Sequence, residues 1–276
     1  MAKYTDEQGK IHFVEKILAK DAQGTLYTTK NPTILLCDAK DRLLDKELYE
    51  NARYMPLAGI KKLILPTYYL EDPDIGYVLE VPAGYAPLES SLNSTEDTIF
   101  PIENPLKILR QIADILGRLH DLPAIYGPLS TARILVKNDE VLMLYSVGLS
   151  YVVNFSISEG LATYEDPYAK NIGGPTVLSD VYAFALLAKD VLQQARGHKN
   201  EHVSKELQEL IEKALSPDIY VRPQIIELYE ALCIASPELS IYRKKYKNKF
   251  YKQEHITPIY NTTTKNTQKS NMLHCL

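Results

Sequence analysis

The stretch from residue 116 to 150, LGRLHDLPAIYGPLSTARILVKNDEVLMLYSVGLS, constrains the fold more than any other part of the chain. It sets a spaced apolar frame: Leu119, Ile125, Leu129, the run Ile134-Leu135-Val136, and Leu149 between Gly148 and Ser150. The segment that feeds it, residues 105–120, has an apolar stripe of Leu106, Leu109, Ile112, Ala113, Leu116 and Leu119 at helical spacing, with Pro105 where a helix start tolerates proline. Residues 176–195, TVLSDVYAFALLAKDVLQQA, are apolar on most faces, which predicts a helix buried inside a large helical body. A chain of 276 residues, 45% hydrophobic and 24% charged, can supply such a core.

Upstream the pattern changes. Residues 11–37 are rich in β-branched and aromatic residues, with Gly24 and Pro32 as breaks, and predict three strands. Residues 41–55 have helical spacing, and IKKLILPTYYL and IGYVLEV predict two further strands around the turn EDPD. VPAGYAPLESSL predicts a loop running into a short helix, and residues 203–215 and 223–233 predict two amphipathic helices. After about residue 241 the periodicity fades, and YNTTTKNTQKSN has the composition of a disordered segment. No apolar run approaches the roughly 18 residues of a membrane span, and the first residues lack the apolar centre of a secretory signal. Cys37, Cys233 and Cys275 show no recognisable spacing and predict reduced thiols in a cytosol. In that setting the Asn-x-Ser/Thr matches at Asn93, Asn154 and Asn261 are chance, and Cys275 is not placed for prenylation.

The frame at 116–150, together with Ser179-Asp180-Val181-Tyr182-Ala183-Phe184 and Leu215-Ser216-Pro217-Asp218-Ile219-Tyr220-Val221-Arg222-Pro223, resembles the catalytic segment, central helix start and closing motif of a eukaryotic-type protein kinase. The resemblance covers roughly residues 12–240. It implies an α+β bilobal fold: a small β-rich lobe with one main helix over residues 10–81, a larger, mostly helical lobe over 82–240, and a tail over 241–276. Leu79 falls at the gatekeeper and Glu80-Val81-Pro82 at the hinge.

Kinase chemistry needs a glycine-rich loop over the phosphates, a strand lysine, two magnesium ligands and an aspartate base. The resemblance places each on a residue that cannot serve. The loop falls on residues 19–26, with Ala19 and Asp21 where glycines belong; only Gly24 remains, and a carboxylate at Asp21 would repel a triphosphate. The lysine falls on Cys37, with Lys40 three residues on, and its glutamate partner on Glu47 or Glu50. The His-Arg-Asp triplet falls on Tyr126-Gly127-Pro128, and proline has no proton acceptor. The metal-binding asparagine falls on Arg133, whose guanidinium repels a divalent ion. The metal-binding aspartate falls on Ser146, a poor sole ligand for magnesium. Joint loss of all these parts while the apolar frame stays in register is similar to a degenerate kinase, a pseudokinase. It implies that the chain is not an enzyme and has no catalytic residue, that no metal is held, and that neither ATP nor magnesium is expected to bind.

Two structural landmarks persist in the resemblance. Asp180 matches the buried aspartate that holds the catalytic-loop backbone in the family. Arg222 matches the arginine that pairs with the glutamate of Ala-Pro-Glu. Here that triplet is Asp166-Pro167-Tyr168, so Arg222 pairs with Glu165 or Asp166, or the segment is rearranged. Thr163 and Tyr164 are candidate phosphosites by position but read as ordinary loop residues.

The tail is the other distinctive feature. From Ile241 onward there are eight Lys/Arg against one acid, Glu254, while the whole chain has a net charge of −4, so the body is acidic. Arg243, Lys244, Lys245, Lys247, Lys249 and Lys252 interleave with Tyr242, Tyr246 and Phe250, which share a helix face. Such a segment suits a partner or an anionic membrane, at about 1 kcal/mol per basic residue near the surface. The acidic body is a further docking surface for it, and nucleic acid is not the expected partner. The function expected is a scaffold or allosteric regulator of a protein partner in the cytoplasm, peripheral at a membrane if the tail docks there. The alternative is a non-standard nucleotide-binding enzyme or transferase in which Arg133 neutralises phosphates without a metal.

Overall fold

The structure is a computed structural model that describes residues 2–21, 24–39, 56–92, 102–122, 124–127, 129–145, 163–164, 166–169, 175–195 and 203–235. The helix expected over 41–55, with Glu47 and Glu50, Lys40, and the basic tail lie outside the described residues.

The N-terminal part is a closed barrel of six strands in the order β1-β2-β3-β4-β7-β6. The strands are β1 (Lys3–Asp6), β2 (Ile11–Asp21), β3 (Gly24–Thr29), β4 (Ile34–Asp38), a short β5 (Leu63–Ile64) outside the barrel, β6 (Pro66–Asp72) and β7 (Gly76–Glu80). All barrel neighbours are antiparallel. Alternation along β4 and β7 splits the side chains between two cores. Ile34, Leu36 and Val78 fill the barrel with Tyr4, Val14 and Leu70. Leu35, Cys37, Tyr77 and Leu79 face the rest of the molecule.

Five strands and their order follow the sequence expectation. β1 does not, because it lies ahead of residue 11 and carries no apolar alternation. Its inward positions are Tyr4 and Asp6, both buried. The Tyr4 hydroxyl donates to Asp38 Oδ2 at 2.8 Å, and burial followed by that bond pushes its pKa far up. Asp6 accepts from the backbone N–H of Gln8 at 3.0 Å and Lys10 at 2.9 Å, and His12 Nε2 lies 2.8 Å from its other oxygen. A hydropathy reading puts such a carboxylate in solvent, whereas this one is satisfied by the turn and strand that follow it.

Burial alone would raise the Asp6 pKa, but the His12 contact and the two backbone donors outweigh it and the net shift is downward. A lowered folded-state pKa gives stability that is present above the unfolded value, near about 4, and is lost as pH falls through the folded value. Asp6→Asn is therefore expected to flatten the acid limb of stability, read as the urea midpoint between about pH 2.5 and 5. An unchanged acid limb would contradict the assignment.

The C-terminal part holds β8 (Ala86–Pro87), α1 (Leu88–Leu92), α2 (Pro105–His120), β9 (Leu129–Ser130), β10 (Ile134–Lys137), β11 (Glu140–Leu144), β12 (Thr163–Tyr164), α3 (Val177–Ala195), α4 (Lys205–Ala214) and α5 (Ile225–Ala235). Asn104 caps α2 by accepting from Lys107 N–H, and Pro105 opens it. Ser204 caps α4 through Leu207 N–H. α2 packs against α3 and α5, and α4 against α3 and α5. Phe184, Ala185, Leu187 and Val191 of α3 are fully buried, as an apolar helix requires. A small sheet, β5-β11-β10-β8, sits between this helical body and the barrel. Among the described residues no helix is long and apolar enough to cross a membrane.

Candidate functional site

A cleft lies between the barrel and the helical body. Its upper wall is β3, β4 and β7, and its lower wall is the turn between β9 and β10 with β10 and β11. Leu26, Leu35, Tyr77 and Leu79 from above share one buried cluster with Ala132, Leu135, Leu142 and Leu144 from below. The walls are thus joined by apolar packing, with Leu26 and Leu135 each 1% exposed.

Arg133 sits in the centre of this packing. The turn that carries it is fixed by Arg133 N–H donating to Ser130 C=O at 3.0 Å and by Leu144 N–H donating to Arg133 C=O at 2.9 Å. Its side chain is fully buried. Nη1 donates to the Tyr77 hydroxyl at 3.1 Å, and Nη2 lies 3.4 Å from Cys37 Sγ. Both partners are fully buried strand residues on the opposite wall. A guanidinium from the turn between β9 and β10 therefore crosses the cleft to Cys37 on β4.

Ala19 lies in β2 opposite Leu26 and is buried, and Asp21 ends β2 opposite Gly24. Gly24 has φ +126°, and a Cβ there would run into the carbonyl of Asp38. The close approach of β3 to β4 accounts for that glycine without any phosphate. Pro128 and Ser146 lie outside the described residues.

Asp180, near the start of α3, is 1% exposed. Its carboxylate accepts from Tyr126 N–H at 2.7 Å and Gly127 N–H at 3.0 Å, with His120 Nε2 at 3.0 Å. It holds the loop after α2 in shape. Asp180→Ala would leave two amides without their acceptor, so a loss of about 2–4 kcal/mol is expected. Urea denaturation measures it, and faster hydrogen exchange at Tyr126 and Gly127 would separate loss of the anchor from a general weakening. The sequence gives no sign that His120 partners Asp180 or that Tyr77 partners Arg133. Each contact spans more than fifty residues of sequence and leaves no local signal.

Arg222 resolves the alternatives left open for it. It pairs with Asp166, Nη1 to Oδ2 at 2.7 Å and Nη2 to Oδ1 at 3.1 Å, with both side chains buried. Nε donates to Ser216 C=O at 2.8 Å and Nη1 also to Leu178 C=O at 3.1 Å. Tyr182 lies against the guanidinium with its ring centroid at 4.9 Å. Among the described residues no cluster of His, Cys, Asp and Glu is arranged to hold a metal ion.

This chain superposes on the crystal structure of the M. tuberculosis PknI kinase domain with a TM-score of 0.58 at 16% identity, over 84% of this chain and 97% of that one. The fold is that of a protein kinase domain, a β-rich part followed by a helical one. No protein-family model matches the chain, and no curated protein does. The match corrects one expectation. The missing kinase residues led to the reading that the chain is not an enzyme. The fold it shares is that of an enzyme domain, and departures from one motif set do not take a chain out of catalysis on such a fold, so that reading is withdrawn.

Proposed function

We propose that this kinase-fold chain works through binding, as a scaffold or allosteric regulator of a protein partner, and that its cleft is organised by Arg133 rather than by magnesium and ATP. The observation that carries this reading is the buried guanidinium of Arg133 against Cys37 and Tyr77. A cation at the metal-ligand position repels a divalent ion, and a thiol at the lysine position cannot grip a phosphate. The apolar cluster across the cleft adds support, because a nucleotide would have to part it.

The test is thermal unfolding of the full chain with ATP, ADP and GTP, each with and without magnesium. No shift with any nucleotide is expected. A magnesium-dependent shift with ATP would overturn the reading. A shift that needs no metal would instead favour the second reading, a nucleotide site in which Arg133 swings out to neutralise phosphates.

The basic tail, Arg243 to Lys252, is proposed as the segment that contacts the partner or an anionic membrane. Co-sedimentation with vesicles of neutral and anionic lipid separates the two. Binding only to anionic vesicles supports the membrane, and binding to neither leaves the protein partner.

A further inference from the structure

A second cavity lies where the turn before β5 meets α2 and α5. A cavity of about 200 Å³ is lined there by Lys61, Lys62, Arg110, Asp114, Arg118 and Tyr229. Four cations face one carboxylate, on a body that is otherwise acidic.

The charges in the cavity do not cancel. Arg118 holds Asp114 at 3.0 and 3.2 Å. Lys62 is held by Gln111 and Glu140. Burial would raise the Glu140 pKa, but Lys62 and Lys107 outweigh it and keep it lowered. Lys61 and Arg110 remain. Lys61 is exposed and makes no ion pair among the described residues. Arg110 is 8% exposed, and its Nη1 is buried with no hydrogen-bond acceptor. Buried donors are almost always paired, because stripping water from one without replacement is costly. A buried guanidinium nitrogen left without an acceptor beside a basic cavity marks where an anion belongs.

We infer that this cavity is a binding site for a phosphoryl group, with Arg110 at its base and Lys61, Lys62 and Arg118 at its rim. Two uncompensated positive charges match a dianion, and guanidinium groups suit phosphoryl oxygens by geometry as well as charge. The volume falls below the roughly 300 Å³ at which small-molecule pockets begin, which fits a compact group and not a whole nucleotide. A bound phosphoryl group would tie the turn before β5, on the barrel side, to α2 of the helical body.

The experiment is thermal unfolding of the full chain against inorganic phosphate, with chloride and acetate at matched ionic strength. A saturable rise in Tm with phosphate, beyond either control, is expected. Lys61→Glu should abolish most of that rise with little change in the Tm without phosphate. Arg110→Met should abolish it while leaving the phosphate-free Tm unchanged or raised, because an unpaired buried charge has gone. A response no larger than with chloride would overturn the proposal. So would a full response in Lys61→Glu, or a lower phosphate-free Tm in Arg110→Met with the phosphate response intact. An equal rise with acetate would overturn the phosphoryl assignment.

Discussion

Arg222→Met is expected to lower the unfolding free energy by about 3–5 kcal/mol, the usual cost of removing one partner from a buried ion pair. The cause is the stranded carboxylate. Asp166 is buried, and among the described residues its carboxylate has the Tyr168 N–H and the guanidinium as hydrogen-bond donors, so losing Arg222 leaves a charge in a poorly solvated site. Arg222 also satisfies the carbonyls of Ser216 and Leu178, so three segments loosen together. Asp166→Leu should cost a similar amount for the mirror-image reason. Combining the two should cost clearly less than their sum, because neither charge is then left alone. Urea unfolding of the four proteins measures this, and strict additivity would show that the pair is not acting as a unit.

Arg133→Ala is the second large effect, expected at about 3–5 kcal/mol. It opens a cavity where one of the largest fully buried side chains among the described residues stood, and it takes from the buried Tyr77 hydroxyl one of its hydrogen bonds. Arg133→Met keeps most of the volume and removes the charge, so it should cost about 1–2 kcal/mol. The difference between the two variants separates packing from charge. If methionine proves as damaging as alanine, the guanidinium itself holds the walls together. If nucleotide binding appears in Arg133→Ala and not in the parent, the arginine is what keeps nucleotide out.

Much of the fold was legible because periodicity reports burial directly. α2 ends where its stripe ends, at His120, and α3 is as apolar as a helix enclosed on all sides must be. β1 was not legible, since its inward carboxylate is stabilised by backbone donors that exist only once the Gly9 turn has formed. The motif resemblance assigns Arg133 a metal-ligand position and says nothing of its reach across the cleft to Cys37, 96 residues away in sequence. The acid that answers Arg222 had two candidates within two residues, and loop geometry chose Asp166.

The sequence by itself determined the order of the strands from β2 onward within the barrel and of the helices α2 to α5, because these depend on local spacing and side-chain chemistry. Tertiary structure alone decided how the charges are answered: Asp6 by His12 and a turn, Asp180 by two loop amides, Arg222 by Asp166. It also decided that Arg133 turns inward between two strands and that Arg110 lies buried with an unpaired donor. A buried charge takes its energy from the few atoms within about 4 Å of it, and those atoms come from parts of the chain that only folding brings together.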